Sequence, residues 1–237
     1  MPLLICAPTA GELAALLPGI APEDAREMRL IPARLKRGLA FACVIGVGPV
    51  NAALAMGEAL VGAKSAGTPI TSVLLAGLAG AFDLARLPLR SLCLVKEEIW
   101  PEYGLHDGTS VTARAFSFPL WRRAAHDGGD VYDRLPLAAP EAIGLSLKNG
   151  ALPRTLSLTV AGVSASLARA RDLAQHYGAD LENMEGFAVA YACARHGIPC
   201  VEIRAVSNKV GPRAREEKDF PGALQRLAQV LPVFELP

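Results

Sequence analysis

Phe41-Ala-Cys-Val-Ile-Gly-Val-Gly-Pro-Val-Asn51, followed after a helical interval by Val73-Leu-Leu-Ala-Gly-Leu-Ala-Gly80, decides the fold class. Residues 41–47 form a short apolar run, as expected of a strand buried on both faces. Gly48 ends the run, and Pro49 suits the first turn of a helix, where its missing N–H is not needed and its φ is preset. The helical pattern continues to about Lys64. A further strand is expected over 73–76, ending in a turn at Gly77-Leu78-Ala79-Gly80. Strand, glycine turn, helix and strand make a βαβ unit, so the chain reads as α/β with a largely parallel or mixed sheet.

The rest of the chain extends this plan. Residues 3–7 read as a first strand, and Pro8-Thr9-Ala10-Gly11 turns into a short helix carrying Glu12. Residues 91–98 form another strand, whereas Gly, Asp and Pro scattered from 100 to 153 predict loops. A strand over 157–163 precedes a helix over 166–177, with Ser164 or Ser166 as N-cap. A helix over 186–196 stops at Gly197-Ile198-Pro199, and a last clear strand spans 200–206. A terminal helix covers 221–231. With no repeat, linker or low-complexity tract, one domain over 1–237 is the simplest organisation.

Composition narrows the function. The 237 residues are 51% hydrophobic and carry a formal net charge of +1, from 24 basic and 23 acidic residues. Such a balance gives no field suited to nucleic acid or an anionic membrane. The uncharged stretches 38–57 and 65–82 are broken by glycine and proline, and read as core strands rather than membrane spans. The N-terminus lacks the basic region of a signal peptide, so a cytoplasmic location is expected. Cys6, Cys43, Cys93, Cys193 and Cys200 show no metal-ligand or CxxC spacing, and are expected to be buried free thiols. Gly46-Val47-Gly48 lacks the third glycine of a dinucleotide fingerprint, and no GxxxxGK[ST] loop is present. Neither a cofactor nor a metal is expected.

In sheets of this kind, ligands bind beyond the carboxyl ends of the strands. The residues there are Glu12, Gly46–Asn51, Gly77–Gly80 and Ser207-Asn208, while Glu182-Asn183-Met184-Glu185 opens an apolar helix. Singly, each has an ordinary explanation. Glu12, Glu182 and Glu185 suit helix starts, where a carboxylate complements the dipole. Asn208 suits a turn, and the glycines suit tight backbone.

Taken in order, however, these segments resemble the purine nucleoside phosphorylase superfamily. The pattern comprises the early Glu12, Gly-Val-Gly-Pro-Val-Asn-Ala-Ala (46–53), Leu-Ala-Gly-Leu-Ala-Gly (75–80), Asn-Met-Glu-Gly (183–186) and Arg-Ala-Val-Ser-Asn (204–208). It covers most of the chain and is thin over 100–155. Within the superfamily it looks like the nucleosidase branch, and Val-Ser-Asn-Lys-Val-Gly-Pro-Arg (206–213) resembles the futalosine hydrolases of menaquinone biosynthesis. That resemblance implies a three-layer αβα architecture around a mixed, partly barrel-like sheet. It also implies a homo-oligomer and a purine nucleoside substrate. Glu12 matches the carboxylate that activates water. Met184 and Glu185 match the pair that packs on the ribose and binds its hydroxyls, and Gly77 falls in a substrate-binding segment. Asn208 stands where the methylthioadenosine nucleosidases use Asp. The base-stacking aromatic has no match near Val163-Ser164, which leaves Phe82, Phe116, Phe118 and Phe187 as alternatives.

The chemistry fits these residue types. Cleaving a ribosidic C–N bond builds positive charge on the sugar and negative charge on the departing base. A carboxylate can take the proton of the attacking water, as in inverting glycosidases. Toward a 6-oxopurine, O6 and N7 are both acceptors, and an Asn amide offers them a donor where Asp would offer a lone pair. Asn208 therefore favours hypoxanthine or guanine over adenine. Phosphorolysis would place a dianion near Glu12, and like charges about 4 Å apart cost on the order of 4 kcal/mol at an effective dielectric of 20. Arg86 and Arg90 could offset this, which keeps a 6-oxopurine phosphorylase open beside a methylthioadenosine-type nucleosidase. Retention of both Glu12 and Glu185 argues against a nucleoside-binding protein without catalysis. Lys209, Arg213 and Arg215 are candidates for an anionic 5′ group, or else a solvated basic stretch.

Overall fold

The computed structural model describes residues 2–35, 38–108, 110–124, 129–148, 152–212 and 214–235. The chain begins with β1 (Leu3–Ala7), α1 (Ala10–Leu16), β2 (Ile31–Leu35), β3 (Gly38–Val44), α2 (Pro49–Ser65), β4 (Ser72–Ala81) and β5 (Leu92–Ile99). Short strands follow: β6 (Leu105–His106), β7 (Val111–Thr112), β8 (Arg134–Pro136) and β9 (Ser146–Leu147). The remaining elements are β10 (Arg154–Thr159), α3 (Leu167–Tyr177), β11 (Leu181–Asn183), α4 (Gly186–Arg195), β12 (Cys200–Lys209), α5 (Phe220–Leu227) and β13 (Phe234–Glu235).

The main sheet runs β11-β10-β5-β12-β4-β1-β3-β2, and β8 pairs with β5. Strands β1, β3, β4 and β12 are mutually parallel, and β5 runs antiparallel to β12. Because β11 also pairs with β4, the strands β4, β12, β5, β10 and β11 close on themselves. The result is the mixed, partly barrel-like sheet that the sequence implied. Alternation along β1 sends Leu3 and Ile5 into one core and Leu4 and Cys6 into the other. Helices α1 and α5 cover the first core, and α2 and α4 cover the second. That accounts for apolar runs without polar alternation.

Four details differ from the sequence reading. Strand β2 was not expected; it is an edge strand, where the N–H missing from Pro32 costs no ladder bond. Gly77–Gly80 is no turn but the second half of β4. Strand β12 runs on through Asn208 to Lys209, with a bulge between Val206 and Asn208. Residues 181–183 form β11, which carries Glu182 in a strand rather than a helix start. For β4, β11 and β12, barrel closure keeps backbone paired where local glycine and polar residues suggested a turn or a helix start.

The five cysteines are free and buried. Burial pushes the Cys43 thiol up to about 11 and that of Cys93 up to about 12. No described helix is long and apolar enough to cross a membrane. The stretches 38–57 and 65–82 instead supply β3, part of α2, and β4.

Candidate active site

Glu12 lies in the first turn of α1, whose N-cap is Thr9. The Thr9 hydroxyl accepts the Glu12 N–H at 3.2 Å and donates to Glu12 Oε2 at 2.6 Å. The Leu78 N–H, from β4, donates to Glu12 Oε1 at 2.9 Å. The side chain is thus turned toward the sheet, not left at the helix end as a solvated dipole partner would be. Burial raises its pKa, against the opposing effects of the Thr9 and Leu78 hydrogen bonds and the Arg204 charge. A carboxylate held this way is a better proton acceptor than an exposed one.

Arg204 is the fixed point behind it. Fully buried on β12, its guanidinium donates to Glu202 Oε1 at 2.7 Å, Asn183 Oδ1 at 3.0 Å, the Leu78 carbonyl at 3.2 Å and Glu185 Oε2 at 3.3 Å. Burial works against this charge, but Glu202, Glu185 and Glu98 together outweigh it and push the pKa up. Glu185 is the N-cap of α4, yet its side chain makes no capping bond. Its Oε1 accepts the Gly48 N–H at 3.2 Å, tying the Gly-Val-Gly-Pro loop to the site. The Leu78 peptide therefore links both carboxylates: its N–H serves Glu12, and its carbonyl serves the Arg204 that holds Glu185.

Asn183 fixes the turn between β11 and α4. Its Oδ1 accepts the N–H groups of Glu185 at 2.8 Å and Gly186 at 2.7 Å, while its Nδ2 donates to Glu98 and Ser157. Burial, and then the neighbouring Glu202 carboxylate, push the Glu98 carboxyl well above the usual range. This buried polar layer has its hydrogen bonds largely satisfied, which keeps the turn carrying Met184 and Glu185 in one arrangement.

Asn208 sits in the bulged part of β12. Its Oδ1 accepts from the Ser207 hydroxyl at 3.0 Å, and one Nδ2 hydrogen goes to the Lys209 carbonyl at 2.8 Å. No described residue accepts its second N–H. Glu12, Met184, Glu185 and Asn208 all line one cleft of about 250 Å³, together with Val47, Leu78, Gly80, Val163, Glu182 and Phe220. Gly77 stands just behind them. A Cβ there would lie 2.8 Å from Arg204 Nη1 and 3.2 Å from Glu12 Oε1, so its bare backbone lets those two side chains approach.

Other expected residues lie elsewhere. Phe187 is buried against Trp100 and Tyr191, Phe82 packs beside α3, and Phe116 pairs with Phe118 on the surface. The aromatic ring that lines the cleft, among the described residues, is Phe220 of α5. Arg86 pairs with Asp180, Arg90 with Asp219, and Lys209 with Glu217. Arg215 opens a short 3-10 turn, and Arg213 lies outside the described residues. No described group of His, Cys, Asp and Glu could hold a metal ion. Sequence reasoning passed over Arg204, although a charge two residues from Glu202 inside an apolar strand was a usable signal.

Comparison with known proteins matches residues 3–232 to the phosphorylase superfamily. A futalosine hydrolase of Thermus thermophilus is 35% identical over 78% of this chain and 76% of its own length. A futalosine hydrolase of Streptomyces coelicolor is 37% identical over 80% and 77%. Among solved structures, a futalosine hydrolase mutant of Helicobacter pylori superposes with a TM-score of 0.74 at 17% identity, covering 98% of this chain and 97% of that one. The 5′-methylthioadenosine/S-adenosylhomocysteine nucleosidase of the same organism gives 0.73 at 16% identity, over 98% and 96%. Likeness at that identity shows the fold.

Proposed function

The chain belongs to the phosphorylase superfamily and, within it, to the futalosine hydrolase family, and from that premise we propose that it hydrolyses the N-ribosidic bond of futalosine. The products are hypoxanthine and dehypoxanthine futalosine, a step of menaquinone biosynthesis. The observation that carries the site assignment is the meeting of Glu12, Glu185 and Asn208 in one cleft. Glu12 takes a proton from the water that bonds to C1′. The C1′–N9 bond breaks, and the base leaves as an anion that regains a proton from solvent. Glu185 accepts from a ribose hydroxyl and orients the sugar. The free N–H of Asn208 meets the charge gathering on O6 and N7.

Hydrolysis is favoured over phosphorolysis by the same geometry. The buried Glu12 carboxylate lines the cleft, where a phosphate dianion would meet a like charge, and Arg86 and Arg90 are engaged with Asp180 and Asp219. Hypoxanthine release from futalosine should outpace adenine release from methylthioadenosine in phosphate-free buffer. Faster adenine release would contradict the assignment. Asn208→Asp should lower kcat/KM for futalosine at least about tenfold, because a buried acceptor facing O6 costs roughly 1–3 kcal/mol. Futalosine and its 6-amino analogue, assayed side by side, check this; an unchanged ratio means that Asn208 does not read the base.

A homo-oligomer is part of this proposal. Val50, Leu54 and Val61 of α2 are exposed and share one helical face, and exposed Val47 continues it to the cleft mouth. A second copy packed there would cover the stripe and shield the 5′ side of the substrate. Leu54→Asp is expected to shift the light-scattering mass toward one chain. An unchanged mass would remove this face from consideration.

A further inference from the structure

Glu98 of β5 and Glu202 of β12 are fully buried, and the mechanism above uses neither. They meet at the start of α4. A Cβ on Gly186, the first residue of that helix, would collide with Glu98 Oε1 and stand 2.7 Å from Glu202 Oε1. Bare backbone at this position therefore admits two carboxyl groups to one place. Glu185, the N-cap, adds a third buried carboxylate. Among the described residues, Arg204 is the cation that meets this group, and it donates to Glu202, Glu185, Asn183 and the Leu78 carbonyl. None of its hydrogen bonds goes to Glu98. The N-terminus of α4 contributes about half a positive charge. Three carboxylates thus exceed the positive charge around them, and Glu98 is the one without an ion pair. The Cys6 and Cys200 thiols also feel the Glu202 charge but add none: burial pushes Cys6 well up, and a hydrogen bond with Cys193, then burial, does so for Cys200. Glu202 Oε2, moreover, finds no hydrogen-bond partner among the described residues. The group carries too much negative charge and too few hydrogens, and one proton remedies both.

Glu98 reaches the substrate-binding turn through two partners. Its Oε1 accepts from Asn183 Nδ2 at 2.7 Å, and Asn183 Oδ1 fixes the N–H groups of Glu185 and Gly186. Its Oε2 accepts from the Thr159 hydroxyl at 2.7 Å, and Thr159 Oγ accepts the Phe187 N–H at 2.7 Å. Three successive N–H groups leading into α4 are thus set by side chains bonded to Glu98. Met184 and Glu185 ride on that turn.

We propose that Glu98 and Glu202 share one proton at neutral pH, and that Glu98, as the neutral member, is a positioning residue for Met184 and Glu185. An ionised Glu98 would compete with Glu185 for the Arg204 guanidinium. A protonated one leaves that ion pair, at 3.3 Å, to hold the ribose-binding carboxylate. Burial and the Glu202 charge, which push the Glu98 carboxyl up, act in the same direction. The positioning role rests on the hydrolase assignment above; the shared proton does not.

Urea unfolding of the parent and of Glu98→Gln, compared from about pH 5.5 to 7.5, tests the proton. Over that range an unfolded Glu98, with its ordinary value of 4.5, has lost its proton while the folded chain keeps it. Stability from this raised group is complete below 4.5 and is lost as pH rises. The parent's unfolding constant should therefore climb about tenfold more per pH unit than that of the variant, whose amide has no proton to lose. Equal slopes overturn the proposal. So does a parent infrared spectrum that lacks, at neutral pH, the deuterium-sensitive carbonyl band of an undissociated carboxylic acid, a measurement that needs no variant. The positioning role is read from kcat/KM on futalosine. Glu98→Gln, neutral and able to bond Asn183, should stay at least about tenfold above Glu98→Met, which strands buried donors. Parity of the two variants overturns that role. If the parent releases no hypoxanthine from futalosine, the hydrolase assignment and the positioning role fail together, whereas the slope and the infrared band still decide the proton.

Discussion

Glu12→Gln is expected to lower kcat on futalosine by about 10²–10⁴-fold, the usual contribution of a positioned general base, with substrate affinity little changed. The amide is nearly isosteric, and its oxygen can keep the Leu78 N–H bond that fixes the side chain. What it lacks is the ability to take a proton from water. Binding to the inactive variant, followed by calorimetry with intact futalosine, separates the two effects. The acid limb of the parent's kcat/KM profile carries the same information. In the proposed mechanism Glu12 works ionised, so activity should fall as pH drops through its pKa. Burial raises that pKa from the ordinary 4.5, so the loss begins at a higher pH than for an exposed carboxylate. Residual activity of the Gln variant should lack this limb.

Arg204→Met should have the largest effect on stability. It leaves Glu202 and Glu185 buried without their counter-charge, and removing one partner of a buried ion pair typically costs about 3–5 kcal/mol. Against a total stability of about 5–15 kcal/mol, such a loss is large. Urea unfolding at neutral pH measures it. An unfolding free energy equal to that of the parent would mean that the buried ion pairs do not hold the fold. Arg204→Lys keeps the charge but not the planar fork, and is expected to fold while losing activity.

The βαβ core was legible because it depends on local signals: an apolar run of strand length, glycine, then proline at a helix start. Both catalytic-side carboxylates were visible too, but only as residues in order. Nothing local separates Glu12 or Glu185 from an ordinary helix-start carboxylate; the difference lies in the Leu78 N–H and the Gly48 N–H, 66 and 137 residues away in sequence. Arg204 was hidden for the opposite reason. Its role is set by three strands converging beneath the cleft, which a one-dimensional pattern does not display. The same closure turned Gly77–Gly80 from an expected turn into strand, since β11 and β12 pair with it on both sides. Phe220 was missed because α5 approaches the cleft only through the tertiary fold.

The central claim is that water, activated at Glu12, attacks C1′ of futalosine. Turnover in H₂¹⁸O with saturating inorganic phosphate, followed by mass spectrometry of the sugar product, tests it most directly. One ¹⁸O is expected at the anomeric hydroxyl of dehypoxanthine futalosine, with equimolar hypoxanthine and a rate unaffected by phosphate. A sugar 1-phosphate product, or a rate that requires phosphate, would contradict it.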